Sequence, residues 1–513
     1  MKTIIWTLPP LALAAATCGK VPDSMTVTQP NVVLIVADDL GMGDLSCYGS
    51  TTIHTPNIDS LAKGGLLFRN GYASSATSSP SRFALFTGRY PWRSHIKILP
   101  GDSRLMIPEN MPTMPKMFQD EGYVTGAIGK WHLGMGNGDN DWNTTLVPSA
   151  NTVGFDYTNL IPATVDRVPT VYVENGKVVG LDPSDPIEVS YEHNFPGEPT
   201  AITNPEMMTR QKWSDGHQGT IVNGIPRIGF MKGGKAARWT DENMADYFLS
   251  KAKNFVQSNK DKPFFLYYGL HEPHVPRVPA DRFVGATTMG PRGDVIVEAD
   301  WCVGQIMKEL KDNGLLDNTI VIFTSDNGAV VNDGYQDESE TKIGKHDPNA
   351  GTRGGKYSLY DGGTHIPLIV YWNTRIHPGV TDAYFLQQDL YASFASFFKY
   401  PILKTLDSEN HLAALFGITD KGRKSQIFEA TGRLGLRVGS YVLMPPYDGP
   451  QRNATMNELG NLKDYGLFDL SKDRHQDNNL ASTKKGKLNR MKKAFMRQVG
   501  QQYNPHQAEE KLQ

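Results

Sequence analysis

Asn31-Val32-Val33-Leu34-Ile35-Val36-Ala37-Asp38-Asp39 is an apolar run that stops on two carboxylates. It lacks the polar alternation of a half-exposed strand, so it reads as a strand covered on both faces, the habit of parallel sheets between helical layers. The same signal recurs outward from it as YVTGAI at 123–128, FFLYYGL at 264–270, TIVIFT at 319–324 and IPLIVYW at 366–372. All are expected to be buried parallel strands. Helical spacing of apolar residues lies between them, most clearly over 295–313. The alternation predicts an α/β class with a largely parallel sheet. Such sheets bind ligands at the carboxyl ends of their strands. Asp38 and Asp39 fall there after the first strand, Lys130 and His132 after the second, His274 after the third, and Asp326 and Asn327 after the fourth.

The chain's 513 residues are enough for one large domain and a minor one, read here as 27–417 and 418–513. Fifty glycines and 33 prolines suit a fold whose function sits in loops over a rigid sheet. Formal net charge is -2 and no basic stripe of the nucleic-acid-binding kind is evident, so a nucleic-acid partner is excluded. Residues 1–18 (MKTIIWTLPPLALAAATC) carry one Lys, a short apolar run and then small residues, which is the pattern of a signal peptide. It is too short to anchor the chain by spanning a bilayer. Two processing routes stay open, cleavage near Ala16 or cleavage before Cys18 with lipid on its sulfur. Either exports the protein to the periplasm or cell surface, and such a lipid would be its one membrane contact. Cys47 and Cys302 then remain, read as two buried free thiols rather than a disulfide. The Gly-, Asn-, Asp- and Pro-rich stretch 134–242 is too long for a plain loop and reads as an insertion over the sheet edge. The basic tail from Lys484 reads as a solvated helix or frayed end.

Ser78-Ser79-Pro80-Ser81-Arg82 leads into Thr87-Gly88-Arg89. Pro80 suits a first helical turn, so Ser78 would stand just before a helix, where free N–H groups favour an anion. Alone, Ser78 would read as a helix cap. The whole segment resembles the signature of formylglycine-dependent sulfatases, in which the leading Cys or Ser is oxidised to Cα-formylglycine. Gly122 to His132 (GYVTGAIGKWH) resembles that family's second signature. The likeness continues through Asp38-Asp39, Thr55-Pro56-Asn57-Ile58-Asp59, Pro273-His274-Val275-Pro276, Ser325-Asp326-Asn327-Gly328, Gly354-Gly355-Lys356 and Leu467-Phe468-Asp469-Leu470.

The resemblance implies an alkaline-phosphatase-like α/β/α sandwich with a smaller C-terminal antiparallel sheet, and hydrolysis of a sulfate ester. It implies that Ser78, oxidised and hydrated, attacks sulfur. Arg82 and Lys130 would stabilise it, with Lys356 at the sulfate oxygens. His274, with Lys356, would protonate the leaving oxygen, and His132 would take the proton that releases sulfate. Asp38, Asp39, Asp326 and Asn327, with residue 78, would hold a cation. These ligands are all oxygen, which selects Ca²⁺ first and Mg²⁺ second. A sulfated serine would be hard to hydrolyse, whereas a hydrated aldehyde expels sulfate through its second hydroxyl.

Ser in place of Cys implies maturation by an oxygen-independent radical enzyme, hence an anaerobic bacterial source. One departure is Asp361-Gly362-Gly363-Thr364-His365, where the family usually has Glu-Gly-Gly-x-Arg, so His365 is open to misreading as a base. His271 stands as a pocket or core residue. Trp142, Tyr191, His193, His217, Arg227 and the loop Arg93-Ser94-His95 are candidates for contact with the organic part of the substrate. That part is expected to be a sulfated sugar of host mucin or glycosaminoglycan type. The competing functions are a phosphodiesterase or phosphonate hydrolase on the same scaffold, and a glycan-binding protein with Ser78 unmodified.

Overall fold

The structure, a computed structural model, describes residues 29–500 apart from 374 and 405, so the signal-peptide and Cys18 readings lie outside the described residues. The large sheet is built from β1 (Asn31–Ala37), β2 (Leu66–Tyr72), β3 (Val124–Lys130), β4 (Tyr157–Ile161), β5 (Val173–Glu174), β6 (Lys177–Val178), β7 (Phe264–Gly269), β8 (Thr319–Ser325), β9 (Leu368–Tyr371) and β10 (Gly379–Leu386). Their order across the sheet is β10-β2-β9-β8-β1-β7-β3-β4-β5-β6. The centre β8-β1-β7-β3-β4 is parallel throughout.

The fifth expected parallel strand, β9, runs antiparallel to both β8 and β2. An apolar run shows that a strand is covered on both faces but carries no direction, so the sequence reading erred here. The reversal matters for function, because the chain just before β9 arrives at the same sheet edge that the other strands leave. Strands β2 and β10 escaped the sequence reading because each carries polar or exposed positions, Arg69 and Asn70 in one and Thr381 and Asp382 in the other.

Alternate residues of β1 feed two separate cores, as the pleat requires. Val32, Leu34 and Val36 pack with Phe83 and Phe86 of α2 (Ser78–Thr87), Phe118 of α3 (Met114–Asp120) and residues near the end of the sheet. Val33, Ile35 and Ala37 pack with Ile58 of α1 (Pro56–Gly64), Phe248 of α4 (Met244–Ser258) and Ile296 of α5 (Pro291–Asp312). The result is an α/β/α sandwich. The 134–242 stretch contributes β4 to β6 at one sheet edge; further along it Glu188–Ser190 pairs antiparallel with the distant Phe230–Lys232, and Ile221–Val222 pairs with Ile225–Pro226 in a short hairpin.

A second sheet of β11 (Ser425–Ala430), β12 (Arg433–Val438), β13 (Tyr441–Met444) and β14 (Gly466–Asp469) is antiparallel in sequence order. One face carries Phe428, Val442, Met444 and Phe468 against Ala76, Leu359 and Tyr360. Ala76 also donates its N–H to the Glu429 carbonyl at 2.8 Å, and Leu359 donates to Leu459 at 3.0 Å. The small sheet thus braces the two loops that lead to Ser78 and from Lys356. Its other face packs Leu434, Leu436 and Leu443 against Met491, Phe495 and Val499 of the tail helix α6 (Lys485–Val499). The tail is therefore docked along an apolar seam spaced at helical intervals, and only its other faces are solvated. Cys302 is buried and Cys47 half-buried, both free thiols.

Candidate active site

Every strand end singled out in the sequence meets at one edge of the large sheet. Gly129 shows how tightly that edge is packed: its φ is +100°, and a Cβ there would stand 1.9 Å from the Gly269 carbonyl oxygen. Only glycine lets β3 and β7 approach closely enough to aim Lys130 and His132 inward. Asp39, His132 and Tyr357 all hold left-handed backbone at φ of 63°, 57° and 73°. Such conformations cost non-glycine residues on the order of 1–3 kcal/mol each and persist where the surroundings over-determine them.

Ser78 is the first residue of α2, and Thr77 occupies the cap position, one residue from the sequence expectation. The Ser78 side chain does not cap the helix. Its Oγ accepts from Arg82 Nε at 3.1 Å, one helical turn on, and lies 3.2 Å from His132 Nδ1. The His132 tautomer follows from its other nitrogen, which lies 2.9 Å from the Leu99 carbonyl oxygen. A carbonyl only accepts, so Nε2 carries the hydrogen and Nδ1 is a bare acceptor facing the hydroxyl. Burial, with Lys130 and Arg167 nearby, holds this imidazole well below its usual pKa, hence neutral.

Arg82 also pairs with Asp326, Nη2 to Oδ2 at 2.8 Å, and its Nη1 donates to the Tyr267 hydroxyl. Lys130 Nζ sits 2.6 Å from both Asp38 oxygens and 3.6 Å from Asp326 Oδ2. Burial alone would raise the Asp326 pKa, yet Arg82, Lys130 and the Ser78 hydroxyl hold its carboxyl far below the usual carboxylate range. Across the cluster Lys356 Nζ bonds Asp39 Oδ2 and Asp333 Oδ2, both at 2.8 Å. These two carboxylates keep Lys356 firmly charged against a burial cost that opposes it.

Three observations bear on whether these residues suit a cation. The Asn327 amide donates to Asp39 Oδ1 at 2.8 Å, while its buried Oδ1 has no hydrogen-bond partner. Asp38, Asp39 and His274 bring ligand atoms within 4.8 Å of one another, all buried. Burial, reinforced by Asp326 and Asp39, pushes Asp38 well above the usual carboxylate range. An orphaned amide oxygen among crowded carboxylates is a donor set short of positive charge, so the residues fit a metal ion.

These geometric findings have a counterpart in comparison. A sulfatase family profile matches residues 30–400. The chain belongs to the sulfatase family. It is 48% identical to an N-acetylgalactosamine-6-O-sulfatase of Bacteroides thetaiotaomicron over 92% of this chain and 94% of that one. It is 31% identical to human arylsulfatase A over 80% of this chain and 74% of the relative. A solved Bacteroides thetaiotaomicron structure described under the metabolism of multiple glycosaminoglycans superposes with a TM-score of 0.90 at 48% identity, covering 92% of this chain and 99% of that one. The protein is thus a sulfuric ester hydrolase with the fold of the family, and its catalytic edge has the means to hold a metal.

Several residues of this sulfatase's site were not legible from its sequence. Asp333 binds Lys356 and accepts from the Tyr357 hydroxyl at 2.9 Å. Tyr267, inside β7, donates to the Lys130 carbonyl at 3.0 Å. Asp166 and Arg167 come from the 134–242 insertion. Arg167 bonds Asp166 Oδ1 at 2.9 Å and Thr164 Oγ1 at 2.7 Å, and its charge bears on His132. His217 reaches the same group, Nε2 to Asp166 Oδ2 at 3.0 Å.

The other insertion candidates divide by environment. Trp142 and Arg227 are buried, the latter against Asp241 at 2.7 Å, and both serve packing. The Tyr191 hydroxyl ties Gly101 to Val168, and His193 stays exposed beside Ser190. Arg93 pairs with Asp407, while Ser94 and His95 are exposed.

His271 is half-buried next to Glu272 at 3.3 Å, its pKa pushed down to about 4 chiefly by desolvation, and makes no bond to the Ser78 group among the described residues. His365 uses both ring nitrogens elsewhere, Nδ1 on Asp361 at 2.8 Å and Nε2 on the Arg69 carbonyl at 2.8 Å, with its ring stacked on Tyr72 at 4.3 Å. The Asp361–His365 pair thus fills a bracing role four residues apart. His365→Gln is expected to lower the thermal midpoint while leaving kcat within severalfold, since no nitrogen of His365 faces Ser78. A melting curve and a rate measured on one preparation check both.

No helix among the described residues is long and apolar enough to cross a membrane.

Proposed function

We propose that this sulfatase removes sulfate from a sulfated carbohydrate of glycosaminoglycan or mucin type, using an oxidised Ser78 and a calcium ion, with magnesium the weaker substitute. The observation that carries this reading is the placement of Ser78 Oγ between Arg82 Nε at 3.1 Å and the bare Nδ1 of His132 at 3.2 Å, against the carboxylate cluster. An aldehyde hydrate at position 78 supplies one oxygen to attack sulfur and a second whose deprotonation releases sulfate. Asp38, Asp39, Asp326 and Asn327, with residue 78, would hold the cation, which would supply positive charge for the sulfate oxygens.

The chain's own groups do the rest. His132 accepts the proton from residue 78 through Nδ1, held in that tautomer by the Leu99 carbonyl. Arg82 and Lys130 are fixed by Asp326 and Asp38, so they offer charge to an incoming anion without reorganising. Lys356 faces the sulfate with its charge secured by Asp39 and Asp333. His274 commits Nδ1–H to the Val275 carbonyl at 2.6 Å, which leaves Nε2 turned toward the Asp39 side of the site at 3.8 Å. Burial and Lys356 keep it neutral in the free protein. The negative charge of a bound sulfate ester favours protonation of Nε2, from which the leaving sugar oxygen takes its proton, with Lys356 alongside.

The sugar assignment leans on the N-acetylgalactosamine-6-O-sulfatase relative at 48% identity over almost the full length. Arg167 is proposed to face the sugar, because its guanidinium lies near His132 and is partly open, 11% exposed. Arg167→Ala is expected to raise KM for a sulfated disaccharide roughly 10–100-fold, the range for one charge-assisted hydrogen bond. Turnover of an aryl sulfate should change far less, and steady-state kinetics on both substrates checks it.

The domain limits proposed are 27–417 for catalysis and 418–513 for the bracing unit. The protein is proposed to be exported, with either a cleaved leader or a lipid on Cys18, and to depend on an oxygen-independent maturation enzyme. Mass spectrometry of the Ser78 peptide from the anaerobic host tests the central step. Loss of two hydrogens is expected, and an unmodified serine in active enzyme overturns it. A panel of aryl sulfate against phosphate diesters and phosphonates should favour the sulfate.

A further inference from the structure

Lys484, Lys485, Lys487, Arg490, Lys492, Lys493 and Arg497 fall on or beside α6, and no acidic residue interrupts residues 484–500. This concentration stands out in a chain whose formal net charge is -2. The apolar seam of the helix is already spent on its own sheet, through Met491, Phe495 and Val499. Arg490, Lys493 and Arg497 lie three, four and seven residues apart, so they form one outward ridge. None of the three makes an ion pair among the described residues, and like charges at these spacings repel. Two aromatic rings steady the flanks: Lys487 Nζ lies 4.0 Å from the Tyr441 centroid and Lys492 Nζ 4.2 Å from that of Tyr465. Between Tyr441 and the start of the helix lies an open groove of about 730 Å³, lined by Ser482, Thr483, Lys484, Lys487 and Arg490. The whole surface is on the face of the small sheet opposite the one that braces the catalytic loops.

We propose that this ridge and groove form an accessory docking surface for a sulfated glycan polymer, which keeps the polymer on the enzyme between cleavages of single esters. The proposal rests on the carbohydrate-sulfate reading above. Charge complementarity selects a polyanion. The helix spans about 22 Å at 1.5 Å per residue, which matches a linear ligand with spaced charges better than a single ion. A bilayer is disfavoured because Met491, Phe495 and Val499 pack into the protein, and the exposed Met496 alone is too little apolar surface to enter the acyl region.

The test uses the matured full chain and the triple substitution Arg490→Gln, Lys493→Gln and Arg497→Gln. The probes are chondroitin 6-sulfate polymer, chemically desulfated chondroitin, phosphatidylglycerol vesicles and duplex DNA. Polymer binding by the variant is expected to weaken roughly tenfold, the combined effect of three exposed ion pairs, and to lose much of its salt dependence. Its kcat/KM on a sulfated monosaccharide should be unchanged, and Arg490→Lys with Arg497→Lys should bind polymer like the parent. The parent should prefer chondroitin 6-sulfate over the other three probes. Equal polymer binding by parent and triple variant overturns the proposal, as does parental preference for vesicles, DNA or desulfated polymer. Polymer binding lost in the variant, with no parental turnover of any sulfated sugar, would leave the surface standing and sink the catalytic reading instead.

Discussion

Ser78→Ala is expected to lower kcat by at least about 10⁴-fold, the scale on which removal of a covalent nucleophile acts. The loss should appear in turnover and not in folding. Ser78 Oγ makes no cap to the helix, and its two neighbours keep other partners: Arg82 stays bonded to Asp326 at 2.8 Å, and His132 stays bonded to Leu99 at 2.9 Å. Substrate affinity should survive, because the charges proposed to meet sulfate belong to Lys130, Lys356 and the cation cluster. Steady-state rates, a melting curve and equilibrium binding of a sulfated sugar separate these quantities. A variant retaining more than a small fraction of the parental kcat would remove Ser78 from the chemistry.

Asp326→Asn should be damaging for two reasons at once. The neutral amide nearly preserves shape but removes the charge that answers both Arg82, at 2.8 Å, and Lys130, at 3.6 Å. These cations are wholly buried, and breaking a buried pair by neutralising one partner costs on the order of 3–5 kcal/mol. The sulfatase without bound metal should therefore melt several degrees lower than the parent. The same side chain accepts the Asp39 N–H at 3.2 Å, and an amide oxygen is the weaker acceptor, so the proposed ligand beside it is held less firmly. Calcium affinity, read by calorimetry, should fall, and kcat should drop by about 10³-fold or more. Excess calcium should raise the melting temperature of the parent and leave that of the variant little changed.

The strand ends were legible because chemistry and fold speak together there. A buried parallel strand announces itself as an apolar run, and a carboxylate placed directly after it has few structural uses. Asp38, Asp39 and Asp326 follow this rule, and Lys130, His132, His274 and Asn327 lie at or shortly past the same strand ends. The direction of β9 was not legible, and with it went the reason that Lys356 reaches the site from the segment before a strand rather than after one. Asp333, Asp166 and Arg167 come from irregular segments whose paths are set by tertiary packing, and nothing in their local sequence marks them. The tautomer of His132 depends on the Leu99 carbonyl, 33 positions earlier. No residue pattern encodes such a contact. The tail helix was misread as merely solvated because its many lysines masked the spacing of Met491, Phe495 and Val499.

The measurement closest to the heart of the matter is a crystal structure of the matured enzyme grown with calcium. Calcium is expected about 2.3–2.6 Å from oxygens of Asp38, Asp39, Asp326 and Asn327 and from an oxygen of an oxidised residue 78. Calcium bound elsewhere, or bound there with an intact serine turned away from it in an active preparation, would contradict the assignment.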